Sequence, residues 1–355
     1  MWGGRLSFLF GLCGALLFTL LFASGSNLPL WTVAWIGNRL LQSMGWAGLV
    51  KICSKWFSYS AYGTVLGILS PSYLIGDAVA RQSMGTLIQA GFGWRTLFYY
   101  AAAVAAIILL ANVIFLRESG TQMGLNEPKV NPLNLFDGDS PSAATSPNPG
   151  LLTLFKTLFS HRAFWIVCGL SFGCTLVRET FNIWTPTYLR DFLGYTQAGA
   201  ASASAIFPAV GAISVIISGW LSDRLGPNGR ALVMLVGLSV TAAGLLSLMG
   251  MRAGFSGKLA VPLIGLVAFC LLGPYSYLGG AMALDFGGKQ GGASSSGIID
   301  GVGYLGGVMA GDTVARVSVL FGWRGVFFFL AAVSLLSALA AASLLLPNKS
   351  VRSAI

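Results

Sequence analysis

The chain has 355 residues, of which 55% are hydrophobic and only 9% charged, with a mean hydropathy of +0.77. A soluble domain of this length needs a far more charged surface, so composition excludes one. The formal net charge of +10 would suit a nucleic-acid binder, but the Lys and Arg residues fall mainly between apolar runs, where they set membrane topology; nucleic acid is not an expected partner.

Apolar runs of about 20 residues, the length that carries a helix across the hydrocarbon core, predict an all-α membrane protein with about ten spans. In chain order they cover 6–25, 28–50, 61–82 and 95–116, then 163–185, 199–221, 230–250, 259–282, 295–316 and 324–346. The 47 glycines suit helices that pack closely in lipid through small residues. Between the fourth and fifth runs lies a polar segment, 117–160, whose centre, Asp137–Pro149, reads DGDSPSAATSPNP. That composition buries little apolar surface and predicts a flexible linker between an N-terminal bundle at 1–116 and a C-terminal bundle at 161–355. With the N-terminus and linker in the cytoplasm, about twelve Lys and Arg residues lie inside and about seven outside, the expected bias. Both termini are then cytoplasmic and the chain is a multi-pass protein of the inner or plasma membrane.

Two landmarks recur. FGWR occurs at Phe92–Arg95 and at Phe321–Arg324, each leading into a long apolar run. GWLSDRLGPNGR occupies Gly219–Arg230, and the opening Met1-Trp2-Gly3-Gly4-Arg5 looks like the tail of the same motif. The separations, about 87 and about 91 residues, signal an internal repeat. The first copy shows four spans and the second six, so the expectation is that about two helices are missing from the first and that Met1 is an internal methionine of a longer carrier.

The five cysteines, Cys13, Cys53, Cys168, Cys174 and Cys270, form no close metal-type pair and read as packing residues, and the single histidine, His161, sits in a polar stretch. With no glycine-rich nucleotide loop and no nucleophile–histidine pair, neither an enzyme nor a cofactor is expected.

GWLSDRLGPNGR resembles the loop signature of the major facilitator superfamily, and Arg39-Leu-Leu-Gln42-Ser-Met-Gly45 resembles the pattern on that family's fourth helix. A finer resemblance, to the organophosphate:phosphate antiporters, rests on three stretches. They are Gln42–Trp46 with Lys55-Trp56-Phe57, the segment Arg178–Leu189 with Trp184, Pro186 and Tyr188, and Gly273-Pro274 with Gly303-Tyr304-Leu305-Gly306-Gly307. The resemblance implies the major facilitator fold, two helical bundles with an expected twelve helices, of which about ten (four plus six) are present here. It also implies a substrate site at mid-membrane, reached by alternating access.

Arg178 is the first candidate for binding an anion. An arginine inside a span is costly unless it faces a cavity or a partner, and its planar fork suits phosphate or carboxylate. The resemblance places a phosphate-binding arginine at this position. Glu179 is adjacent but is not automatically its partner, since neighbouring helical residues point about 100° apart; it raises proton coupling. Arg39 has the same intramembrane logic and reads as a coupling or structural residue. Lys51, further along, either snorkels or faces the cavity.

Tyr275, Tyr304 and Trp184 are candidates for substrate contact. Asp300, mid-span with no basic residue nearby in sequence, is the candidate functional acid. Asp77 and Arg81, like Asp312 and Arg316, are four residues apart in matching contexts and predict two helix-face ion pairs. Asp223 and Arg224 belong to the loop motif, where the role is conformational. Two departures stand against phosphate: the family's site uses an arginine from its first helix, outside this chain, and a histidine on its fifth, where Ser72 stands here. The expected function is transport of a small anion by a monomer in a lipid bilayer, most simply organic phosphate against inorganic phosphate. The alternatives are a proton-coupled carboxylate or sugar-acid symporter, a transporter-like membrane sensor, or a carrier inactive as truncated.

Overall fold

The computed structural model describes residues 3–57, 65, 68–126, 151–226, 228–252 and 257–345. They form helices almost throughout, as hydrocarbon demands: a backbone without water must satisfy its own hydrogen bonds. The chain divides into two compact units, 1–65 with 86–131 and 66–85 with 132–355.

Unit 1 contains α1 (Gly4–Ser24), α2 (Leu28–Trp56) and α4 (Trp94–Phe115). Asn27 caps α2 by accepting from the Leu30 N–H at 2.9 Å, and a proline stands in the first turn, where its missing N–H costs nothing. Helices α1 and α2 touch backbone to backbone. A Cβ on Gly4 would lie 2.9 Å from the Gly48 carbonyl oxygen, and one on Gly48 would lie 2.9 Å from that of Gly4. One end of the unit is an aromatic cluster in which Phe22 packs on Phe98 and Trp31 meets Trp94 edge-on, with centroids 4.7 and 5.9 Å apart. At the other end, Glu118 beyond α4 receives the Gly4 and Arg5 N–H groups at 2.9 and 2.7 Å and the Lys55 ammonium at 2.6 Å. One carboxylate thus caps α1 and ties it to α2.

Unit 2 takes most of α3 (Pro71–Gln89), then α5 (Leu151–Ser160), α6 (Arg162–Thr187), α7 (Gln197–Ser204), α8 (Ile206–Arg224), α9 (Gly229–Met249), α10 (Gly257–Tyr277) and α11 (Ala283–Leu345). Wider π turns follow α6 at Tyr188–Phe192 and α10 at Leu278–Met282. Helix α11 is formally 63 residues long. Straight, it would reach about 95 Å, three times the hydrocarbon thickness. Its contacts with α6 show instead that it doubles back. Phe286 meets Phe164 near the start of α6, and the Ala310 carbonyl accepts from Trp184 near its end. Trp323 packs on Tyr188 just past that end, Phe327 meets Phe181, and Ser337 returns to Gly173 in the middle. The reversal falls at Gly322, whose φ of +65° lies in the left-handed region that favours glycine. The second FGWR is therefore a turn between two passes. The first FGWR also follows a turn, there made by Gly91 with φ +82°.

Seven described helical stretches are long and apolar enough to cross a membrane. Adding α2, α3 and the second pass of α11 gives ten, the number read from the apolar runs. Asn38, Arg39, Gln42 and Lys51 on α2, and Asp77 and Arg81 on α3, make those two helices more polar than the rest. Two boundaries differ from the sequence reading. The apolar runs predict a third span at 61–82, but residues 58–64 and 66–67 lie outside the described residues and helix α3 runs from Pro71 to Gln89, on past the polar pair Arg81-Gln82. The end of the polar segment, Leu151–Ser160, is helical, with Leu158 fully buried and Phe159 stacked on Trp165 of α6; the centre of that segment, 127–150, lies outside the described residues.

Candidate functional site

The site grows from three helices of unit 2 brought together by small residues. On α11, a Cβ at Gly306 would collide with the Phe172 carbonyl of α6, and one at Gly303 would press on the Ser171 and Thr175 hydroxyls. Such contacts let two helices approach to backbone distance. Gly306 and Gly303 flank Tyr304 and hold the Asp300–Tyr304 turn against the α6 segment that carries Arg178.

The Arg178 side chain is 14% exposed. Its Nε donates to Glu179 Oε1 at 3.0 Å and its Nη2 donates to the same oxygen. The guanidinium carbon lies 4.5 Å from the centre of the Tyr275 ring, a cation–π arrangement. Tyr275 reaches that position from α10, between Pro274 and the π turn at Leu278–Met282; π turns of this kind concentrate at functional sites. Asp300 and Tyr73 also lie within electrostatic reach of the guanidinium, and Tyr304 within reach of Tyr73 and Tyr275. Asp300 is seated so closely on the π turn that a Cβ at Gly279 would collide with its carboxylate. Ser296, one turn before Asp300, has its hydroxyl oxygen 2.6 Å from the Gly279 carbonyl and 3.4 Å from Asp300 Oδ2.

Of the candidates named from sequence, Arg178, Glu179, Tyr275, Asp300 and Tyr304 thus meet in one cluster. Trp184 lies on α6, but its single N–H donates to the Ala310 carbonyl at 2.8 Å and its ring packs edge-on against Trp323. Lys51 and Arg39 are in unit 1. Arg39 lies over the Trp35 ring at 4.7 Å and contacts Gln42 Oε1 at 3.4 Å. It lines a cavity of about 180 Å³ with Phe18, Phe22, Asn38 and Phe98. Arg224 stacks over Trp220 at 4.2 Å, and the side chain of Asp223 lies outside the described residues. Tyr73 was missed by the sequence reading. It follows Ser70-Pro71-Ser72, where the family's histidine is absent, and nothing in the local pattern singles out the tyrosine. No cluster of metal-ligating side chains occurs among the described residues.

Both expected i,i+4 ion pairs form, Asp77–Arg81 at 3.0 Å and Asp312–Arg316 at 2.9 Å. They differ in setting: Arg81 also reaches Ser204 and the Asn182 carbonyl, each at 3.3 Å, whereas the second pair is exposed.

The cluster lies among helices joined by glycine contacts, with Arg178 and Asp300 inside stretches long and apolar enough to cross a membrane. Residues 1–311 match the sequence profile of the Major Facilitator Superfamily. The chain belongs to that superfamily. It is therefore a multi-pass membrane transporter and not an enzyme. Over 329 residues it is 26% identical to the probable hexose phosphate transport protein of Chlamydia trachomatis serovar D, a match covering 89% of this chain and 71% of that one. Over 300 residues it is 25% identical to the glycerol-3-phosphate transporter of Bacillus subtilis, covering 82% of this chain and 66% of the relative. Among solved structures it superimposes on the human organic anion transporter MFSD10 (TETRAN) with a TM-score of 0.69 at 15% identity, covering 96% of this chain and 77% of the other. That likeness concerns the major facilitator fold alone.

Proposed function

We propose that this major facilitator carries a small organic phosphate across the inner membrane in exchange for inorganic phosphate, by alternating access, with Arg178 as the anion anchor. The observation that carries the reading is the setting of Arg178: an intramembrane guanidinium held by Glu179 and stacked on Tyr275. A charge at that depth is retained for a solute or a partner. Tyr275, Tyr304 and Tyr73 supply hydroxyls suited to phosphate oxygens. The curated relatives that carry hexose phosphate or glycerol 3-phosphate in their names support the choice of solute. Trp184, with its donor occupied, serves helix packing in this reading. Arg39, Asp223 and Arg224 act in the conformational change. Both termini face the cytoplasm, on the distribution of Lys and Arg.

In proteoliposomes holding the purified protein, external labelled inorganic phosphate exchanges with internal glycerol 3-phosphate or hexose phosphate. Absence of exchange with every phosphate and carboxylate tried, in folded protein, overturns the reading. A second reading, carboxylate transport, is favoured by one observation: Arg178 is a single guanidinium already facing a carboxylate, which suits a monoanion better than a dianion. Competition of phosphate exchange by small carboxylates separates the two.

A further inference from the structure

Helix α5 (Leu151–Ser160) joins α6 through a single extended residue. His161, with φ −92° and ψ 117°, interrupts the helical run between Ser160 and Arg162, so the chain changes direction there. Helix α6 then opens a stretch long and apolar enough to cross a membrane, Arg162–Phe192. Ten residues make about 15 Å of helix, half of what the hydrocarbon core requires, so α5 does not span. It lies where the first turn of α6 meets the membrane surface.

The faces of α5 match that position. At about 100° per residue the order around the helix is Leu158, Phe155, Phe159, Lys156, Ser160, Thr157: an apolar arc, then a cation, then hydroxyls. Leu158 is fully buried in the core of unit 2. The aromatic flank is open: Phe159 is 40% exposed and Trp165 of α6 is 53% exposed. Their rings stack at 5.1 Å, and the Trp165 Nε1–H donates to the Phe159 carbonyl at 3.0 Å, which holds the indole across the corner. Phe155 stacks on Phe159 at 6.0 Å. Exposed aromatic rings at the end of a spanning helix belong to the headgroup level of a bilayer.

The charges beside this flank have one sign. Lys156 and Arg162 are exposed, and no described carboxylate pairs with either. Neither α5 nor the first turn of α6 contains an acid. Phe286 packs on Phe164 and so places its neighbour Asp285 at this end of the unit, but Asp285 is held by Arg230. Arg162 gains nothing from its own helix, since a cation in the first turn opposes the dipole. Two cations bordering an exposed aromatic flank fit anionic phospholipid: the charges meet headgroup phosphates and the rings meet the upper acyl chains. A neutral leaflet would leave the charges unanswered.

We propose that α5 is an interfacial helix that docks on anionic phospholipid, with Lys156 and Arg162 at the headgroups and the Phe159–Trp165 pair beneath them. The bound leaflet fixes the start of α6, the helix that carries Arg178. This holds whichever solute the carrier moves.

The test places the full chain in nanodiscs of phosphatidylcholine alone or of an equal mixture with phosphatidylglycerol, and follows hydrogen exchange of the 151–160 amides. Phosphatidylglycerol slows that exchange by about 5- to 25-fold, the effect of one to two basic residues at an anionic surface. The double variant Lys156→Gln, Arg162→Gln loses the slowing while exchange in α9 stays as in the full chain. Lys156→Arg with Arg162→Lys, which preserves both charges, retains it. Inorganic phosphate added to the phosphatidylcholine discs does not reproduce it, because free phosphate offers nothing to the aromatic flank. Equal exchange in the two kinds of disc, a glutamine double variant that still responds, or the same slowing by inorganic phosphate overturns the proposal.

Discussion

Arg178 and Glu179 are neighbours in sequence and partners in space: Nε of the arginine donates to Glu179 Oε1 at 3.0 Å and Nη2 donates to the same atom. Two long side chains fold toward one another across the angle between adjacent helical positions, and the guanidinium plane is fixed over Tyr275. This geometry needs the fork and the flat face of arginine. Lysine keeps the charge, loses the second hydrogen bond and most of the stacking, and should lower apparent phosphate affinity about 10- to 100-fold, or roughly 1.5–3 kcal/mol. Counterflow with Arg178→Lys measures it, and full-rate transport would remove Arg178 from the site.

Glu118 fixes one end of unit 1 through Lys55 and the first two N–H groups of α1. Burial alone would raise its carboxyl. The Lys55 hydrogen bond and charge, with the Arg5 and Gly4 N–H bonds, outweigh burial and hold it below its ordinary value of 4.5. A carboxyl held low in the folded state contributes stability that is complete above the unfolded value and is lost as pH falls through the folded one. Because Lys55 is half-exposed, most of the gain comes from capping α1. Glu118→Gln should cost about 1–2 kcal/mol in thermal unfolding at pH 7, and the difference should close as pH drops below about 4.5.

Two glycines five residues apart on α11 have opposite expected responses. Gly301 has open space where a Cβ would go, and Gly306 has the Phe172 carbonyl. Gly301→Ala should be neutral or stabilise the helix by about 0.5–1 kcal/mol, through reduced freedom of the unfolded chain. Gly306→Ala should destabilise by about 1–3 kcal/mol, since α6 and α11 must separate. Melting of the two variants in one detergent compares them directly, and equal shifts would contradict the close approach.

The helices were legible because lipid imposes one length and one polarity on each pass, and FGWR marked the Gly322 turn that the unbroken helical run of α11 conceals. Arg178 and Asp300 were legible as charges within apolar runs. What surrounds them was not. Tyr73 joins the cluster from a helix over 100 positions earlier, and Glu179 pairs with Arg178 only because both side chains bend back. The seating of Asp300 on Gly279 depends on a π turn, a shift of backbone register that leaves no periodic trace in composition.

The repeated Gly-Asp-x-Val-Ala-Arg motif shows the same limit and leads to a paired test. Sequence predicts identical ion pairs at Asp77–Arg81 and Asp312–Arg316, and both form. Arg81 is 17% exposed and also bonds Ser204 and the Asn182 carbonyl, joining α3 to α6. Arg316 is 74% exposed and contacts its own helix. Removing the half-buried Arg81 leaves the Ser204 hydroxyl and the Asn182 carbonyl without that donor, whereas an exposed helical pair contributes little. Arg81→Ala should therefore cost about 1–3 kcal/mol and Arg316→Ala about 0–0.5 kcal/mol, read as loss of thermal stability in detergent. Equal losses would mean that the cross-helix bonds of Arg81 add nothing to the pair both copies share.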